Sequence, residues 1–177
     1  MKVFHARLEM SFMPGSRFQF RIREATVKDI DGILRCLACA FEPYQADYTV
    51  GGYQDTVLNR ETLSERLLQM TILVAVCSND KILGTIACQV LVGGEGHLRG
   101  MAVLPALQGQ GIADELIKRA EETLAQHGCP RVTLDTTEPL RRAMRLYERK
   151  GFVRTGNVSD FFGMPLIEYA KELNRNS

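Results

Sequence analysis

Residues 101–113, Met-Ala-Val-Leu-Pro-Ala-Leu-Gln-Gly-Gln-Gly-Ile-Ala, restrict the fold of this chain more than any other stretch. An apolar run meets a turn at Pro105, and a short loop carrying Gln108, Gly109 and Gly111 follows. Beyond the loop Ile112, Ala113, Leu116, Ile117, Ala120 and Leu124 recur at helical spacing until His127-Gly128. The pattern predicts a strand, a loop and a helix in that order. Glycines at a helix start leave backbone N–H groups bare, and the helix dipole adds roughly half a positive charge there. Such a terminus binds anions, most often a phosphate or pyrophosphate.

The glycine spacing decides among phosphate loops. A Walker A loop needs Lys-Ser or Lys-Thr after its last glycine, and neither pair follows here. A dinucleotide fingerprint, Gly-x-Gly-x-x-Gly/Ala, accommodates Gly109 and Gly111 but meets Asp114 where close packing wants a small residue. That mismatch, with no second nucleotide-binding half, disfavours a dinucleotide oxidoreductase. The pattern Gln/Arg-x-x-Gly-x-Gly/Ala matches Gln108-Gly109-Gln110-Gly111-Ile112-Ala113 at every fixed position. This loop resembles the acyl-CoA pyrophosphate loop of the GNAT N-acetyltransferase superfamily. A second stretch, Ala143-Met-Arg-Leu-Tyr147-Glu-Arg-Lys-Gly151-Phe152, resembles that superfamily's other signature, a helix ending Leu-Tyr-x-x-x-Gly-Phe. Gly151 suits the left-handed position just past a helix C-terminus. The two motifs stand in the family's order, and the resemblance covers residues 20–172.

The resemblance implies a single α/β domain over residues 18–173. Its sheet would be mixed and mostly antiparallel, flanked by helices, with a parallel central strand pair at the acyl-CoA site. It implies acetyl-CoA as cosubstrate, with no metal, and direct attack of a primary amine within a ternary complex. The backbone of Met101, Ala102 and Val103 would pair with the pantetheine arm. The segment Gln108, Gly109, Gln110, Gly111, Ile112 and Ala113 would hold the pyrophosphate. Tyr147 matches the tyrosine that protonates the departing thiolate, and a phenol of pKa about 10 is a donor at neutral pH. It also shares an apolar helix face with Leu140, Ala143 and Met144, which a core residue would do as well.

His97 falls where many family members carry a glutamate that accepts the amine proton. Imidazole titrates near neutral pH and can do the same task. Alternation puts His97, Arg99, Met101 and Val103 on one strand face. A strand-end histidine in solvent is the competing reading, and Glu95 is a nearby substitute between glycines. The departure from glutamate leaves open a second function class, a non-catalytic acyl-CoA-binding or interaction module. Arg141, Arg142, Arg145, Arg149 and Lys150 form a basic helix face, solvated or partly turned to a CoA phosphate.

The rest of the chain fits one α/β domain. Thr26 and Asp29 are placed to open a helix whose apolar face is Ile30, Ile33, Leu34, Leu37, Ala38 and Phe41. Thr62 and Glu65 form a candidate capping box for a short helix through Met70. Strands are expected at residues 72–77, 82–92, 97–103, about 131–136, 153–157 and 166–170. Residues 42–59 show no periodicity. Glu42, Tyr44 and Asp47 lie there with Tyr48, Tyr53 and Asp55, and residues 37–59 hold no Lys or Arg. In the family this segment walls the acceptor pocket, so Glu42, Tyr44 and Asp47 are candidate substrate contacts favouring a cationic acceptor. The alternative is a solvated loop. Residues 1–17 form an N-terminal extension in which Phe4, Ala6, Leu8 and Met10 alternate like an extra strand before a Pro14-Gly15 turn.

Composition narrows the partners. A net charge of +1 shows no bias toward nucleic acid or anionic membrane. The longest apolar run, residues 72–77, is too short to span a bilayer, and no signal-peptide core precedes the domain. A cytoplasmic location is the default expectation. The expected partner is a small-molecule or peptide amine, with a homodimer left open. Five cysteines make no framework, and Cys36 and Cys39 sit at helical spacing, favouring core packing.

Overall fold

The computed structural model describes residues 19–173. The expected strand through Phe4 and Met10 and the Pro14-Gly15 turn lie outside the described residues. Seven strands, β1 (Arg21–Glu24), β2 (Thr71–Val76), β3 (Ile82–Val90), β4 (Gly96–Val103), β5 (Arg131–Thr137), β6 (Val153–Phe161) and β7 (Met164–Glu172), build one sheet. Its order is β1-β2-β3-β4-β5-β7-β6. Every neighbouring pair is antiparallel except β4 and β5. The central strands β2 and β3 are buried almost throughout, as strands covered on both faces must be.

Helices α1 (Ile30–Phe41), α2 (Val50–Val57) and α3 (Arg60–Gln69) precede β2, while α4 (Ile112–Gln126) and α5 (Arg141–Arg149) flank β5. Ile33, Cys36, Leu37 and Phe41 of α1 pack on Val74, Ile82, Ala87 and Ala102 of the sheet. On the opposite face Leu116, Ile117, Ala120 and Leu124 of α4 pack on Leu73, Leu83, Ile86 and Leu98. Each of the Leu, Ile, Val and Phe side chains among them, fully buried, contributes roughly 1.5–3 kcal/mol of apolar transfer. Cys36 belongs to this packing: burial pushes its thiol up to about 12, which keeps it unreactive.

The helix starts are set by local hydrogen bonds. Thr26 and Asp29 close the expected capping box, with Asp29 Oδ2 accepting from the Thr26 amide at 2.8 Å. The second box differs from expectation. Asn59 is the cap, its Oδ1 accepting from the Thr62 amide at 2.9 Å, so α3 begins three residues before the position that a Thr62–Glu65 box would give. Residues 42–59 are mostly helical too, as a short 3-10 turn (Glu42–Asp47) followed by α2. Their pattern is hidden because α2 buries little more than Gly52, which packs against Met164 and Phe161. Strands β6 and β7 run longer than their apolar cores predict, because β6 is an edge strand with mostly exposed side chains.

Two irregularities in β4 shape the centre of the sheet. Arg99 pairs with Ala87 and Ala102 with Thr85, so β4 spends three steps where β3 takes two. Gly100, at φ +61°, is the residue that makes this bulge. The bulge inverts the side-chain parity. Ala102 therefore joins the α1 side, while Met101 and Val103 pack on the α4 side with Leu98. His97 and Arg99 point opposite to Leu98, so the single face expected for His97, Arg99, Met101 and Val103 is corrected to two. The second irregularity is a separation. β4 and β5 pair only at Gly96–Val132, His97–Thr133 and Leu98–Leu134, and beyond that point the two strands run on without pairing to each other.

Candidate active site

Where β4 and β5 part, two cavities open and share Phe41, Met101, Leu140 and Tyr147 in their walls. The first, about 180 Å³, runs along Met101, Ala102 and Val103 to Gln108, Gly109, Gly111, Ile112 and Ala113. Gln108 and Gln110 donate their amides inward, to the carbonyls of Pro105 and Leu107. The first helical hydrogen bond of α4 is Glu115 to the Gly111 carbonyl, so the amides of Ile112, Ala113 and Asp114 have no helical acceptor. Gly111 has φ +82°, and a Cβ there would meet nothing within 4 Å. The loop is therefore an open cradle of N–H groups at a helix N-terminus, the arrangement that fits the pyrophosphate of a CoA ester. Arg142 and Arg149 add positive charge to the same cavity, and Arg142 Nη1 holds Gln108 Oε1 at 2.7 Å. Lys150 instead neutralises Asp114 at 2.7 Å.

Tyr147 stands between the cavities because of how α5 ends. Phe152 donates its amide to the Tyr147 carbonyl at 3.0 Å, and Gly151, at φ +86°, donates to Glu148 at 3.1 Å. These two bonds form a Schellman motif, with Tyr147 and Phe152 at the positions whose side chains touch. Their rings meet edge to face at 6.0 Å, and Tyr169 closes the other side at 6.3 Å. The Leu-Tyr-x-x-x-Gly-Phe spacing is thus a helix stop that immobilises one phenol. Burial raises the Tyr147 pKa well above its ordinary value, which keeps the hydroxyl protonated at neutral pH.

The second cavity, about 250 Å³, is walled by Tyr48 and Asp55 before and within α2, Arg66 of α3, His97 and Arg99 of β4, and Asp135 of β5. Thr133 donates its hydroxyl to the Gly96 carbonyl at 3.3 Å, and its oxygen lies 3.0 Å from His97 Nδ1. His97 Nε2 lies 3.7 Å from Asp135 Oδ2, where the carboxylate favours a proton on the ring. Burial lowers the His97 pKa, opposed mainly by Asp135, and burial raises the Asp135 pKa, opposed mainly by His97.

The structure brings most of the expected residues together and separates a few. Met101, Ala102, Val103, Gln108, Gly109, Gly111, Ile112, Ala113, His97 and Tyr147 line the two cavities, whereas Gln110 lines neither. Glu42 and Asp47 are exposed and lie outside both. Tyr44 lines the loop-side cavity, not the one with His97. Glu95 is held by Arg131 at 2.6 Å, away from both cavities. Thr133 and Arg66 were not expected, Asp135 had no assigned role, and Asp55 was expected only as part of an acidic wall. Thr133 and Asp135 could have been found from a parallel register, since they share the side of β5 that faces His97. Arg66 comes from a helix with no motif, and only packing discloses it.

Comparison with known proteins agrees with this geometry. The chain is 32% identical over 85 residues to N-alpha-acetyltransferase MAK3 of Arabidopsis thaliana, covering 46% of this chain and 45% of that one. It is 43% identical over 62 residues to an acetyltransferase of Agrobacterium fabrum, covering 35% and 44%. It therefore spans less than half the length of these curated relatives. Its fold is similar to the crystal structure of PaiA N-acetyltransferase from Thermoplasma acidophilum in complex with coenzyme A, at TM-score 0.72 and 16% identity over 87% of this chain and 99% of that one. The acetyltransferase (GNAT) family model matches residues 36–152, a span that runs from α1 through the glycine loop to the Schellman stop at Phe152. With both cavity-building motifs inside that match, the chain belongs to the GNAT acetyltransferase family.

Proposed function

We propose that the chain is an acetyl-CoA-dependent N-acetyltransferase in which a primary amine attacks directly within a ternary complex. The observation that carries this reading is the meeting of two cavities at Tyr147 and Met101, where β4 and β5 part. One cavity has the anion cradle and the other the imidazole. The likeness to an N-acetyltransferase crystallised with coenzyme A, and to a named N-alpha-acetyltransferase, supports both the cosubstrate and an amine acceptor.

Bound acetyl-CoA would supply a thioester carbonyl whose sulfur can leave. The amides at the start of α4, with Arg142 and Arg149, would hold its phosphates. The unpaired edge of β4 at Met101, Ala102 and Val103 offers backbone groups to an extended arm and one N–H to the reacting oxygen. His97 Nε2 takes the amine proton, with Thr133 beside its Nδ1 and Asp135 steadying the imidazolium. Tyr147 Oη donates to the leaving sulfur. Its raised pKa makes it a hydrogen-bond donor more than a strong acid, because a thiolate whose thiol titrates near 8.5 is a weaker base than this phenolate.

Thiol release from acetyl-CoA tests the reading directly. Release should require an amine, and initial rates with both substrates varied should intersect, as a ternary complex demands. Parallel lines would indicate a covalent acetyl-enzyme. Tight CoA binding with no thiol release across a broad amine panel would favour the non-catalytic acyl-CoA-binding module.

A further inference from the structure

Three separate elements place charge on one wall of the acceptor-side cavity: Asp55 from α2, Arg66 from α3 and Arg99 from β4. The Asp55 carboxylate lies 3.6 Å from Arg66 Nη2 and 3.5 Å from Arg99 Nη2. It therefore stands between two guanidiniums and compensates only one unit of charge. Both separations exceed the ~2.7–2.9 Å of a charge-assisted hydrogen bond. Arg66 makes one further hydrogen bond, to the Asp55 carbonyl at 3.4 Å. Most N–H donors of both forks are thus uncommitted to described residues. The Arg66 side chain is only 13% exposed. Buried charge of one sign is costly without a partner, and burial and Arg99 both press Arg66 toward its neutral form against Asp55 alone.

The other side of the cavity has the opposite character. Asp135 faces His97, and Glu168 of β7 acts on both electrostatically. His97 and Arg99 are two residues apart on one side of β4, which separates them by about 6.6–6.8 Å along the strand. A cavity of about 250 Å³ lies below the ~300 Å³ where drug-sized ligand sites begin, so it admits a small amine or the first residue of a peptide.

We infer that Arg66 and Arg99 form an anion subsite that holds a carboxylate a few bonds from the acceptor amine. The inference rests on the acetyl-transfer reading and specifies its substrate class. It is opposite in sign to the cationic acceptor expected from Glu42, Asp47 and Asp55. Two of those side chains lie outside the cavity, and the third is engaged by both arginines. The same chemistry is carried by a free amino acid and by a peptide whose first side chain is Asp or Glu.

Matched acid and amide acceptors test it with saturating acetyl-CoA. The pairs are alanine with alaninamide, β-alanine with its amide, and pentapeptides beginning with Asp or with Asn. The acid member should exceed its amide at least tenfold in kcat/KM in one pair class, and that class names the source. Arg66→Gln and Arg99→Gln should bring the ratio near one through acceptor KM. They should lower kcat/KM for the acid far more than for its amide and leave the acetyl-CoA KM unchanged, which a merely structural role would not do. If either variant fails to fold, the wild-type ratio and its decline with salt carry the test. Amides equal to acids in every pair would overturn the subsite while leaving acetyl transfer intact. If no amine is turned over, thermal scans of the CoA-saturated protein decide: stabilisation by the acids alone retains the subsite without the catalysis, and none overturns it.

Discussion

Tyr147 and His97 are held by different physical means, and their substitutions should differ accordingly. Tyr147 is clamped by the Schellman stop and by the rings of Phe152 and Tyr169. Phenylalanine keeps every one of those contacts and removes only the hydroxyl. Tyr147→Phe should therefore lower kcat by about 10²–10³-fold, the range for losing one placed donor, with CoA affinity unchanged by calorimetry. His97 is tuned by burial, by the charges of Asp135, Arg99, Glu168 and Glu95, and by Thr133 beside its Nδ1. Its pKa lies below the ordinary 6.5, so the free base is present above that value and the rate falls as pH drops through the lowered pKa. Asp135→Asn removes the chief influence that raises this pKa, so the acid limb of kcat/KM should move to still lower pH. His97→Ala should abolish that limb and leave a slow rate that recovers toward high pH, where free amine accumulates. An unmoved limb in Asp135→Asn would remove Asp135 from the proton path.

At the scale of elements, the start of α4 and the bulge in β4 carry the most consequence. Gly111 sits at φ +82° with open space where a side chain would stand. Aspartate tolerates that conformation better than most residues, so Gly111→Asp should fold while aiming a carboxylate at the anion cradle. CoA at about a hundred times Kd should stabilise the wild type by about 2.7 kcal/mol, and the variant should lose that shift in a thermal scan. A full shift in the variant would dissociate the loop from CoA. The Gly100 bulge decides which β4 residues share a face of the sheet, placing His97 and Arg99 on one side and Met101 and Val103 on the other. Simple alternation missed this, because one residue of extra backbone inverts every side chain after it.

For the whole molecule, the corner joining β1 to α1 makes stability depend on acid. Arg23 donates twice to Asp29, at 2.8 Å each, and holds its carboxyl at about 2, below the ordinary 3.8. A depressed folded pKa gives stability that is complete above 3.8 and lost as pH falls through about 2. The shift corresponds to about 2 kcal/mol for a carboxyl this little exposed. Urea unfolding of Asp29→Asn should lack this component, and its stability should fall less than the wild type's between pH 4 and 2. The capping box was visible in Thr26 and Asp29, but the Arg23 partner was not, since their meeting depends on how β1 leads into the helix. The same division runs through the site. Loop and helix stop were legible, because Gln108 to Ala113 and Leu146 to Phe152 are local patterns whose backbone needs dictate their residues, and the parallel strand pair followed from the family resemblance those motifs carry. Periodicity also placed the cores of α1, α4 and the central strands, where one face must leave water. What the sequence by itself determined is therefore the fold and the anion cradle. Only the tertiary structure decided the acceptor side: it turned Glu42 and Asp47 outward and set Asp55 between Arg66 and Arg99. It also placed Thr133 and Asp135 about His97. Those pairings join residues far apart in the chain, whose charges acquire meaning only when packing fixes their distance and removes the water between them.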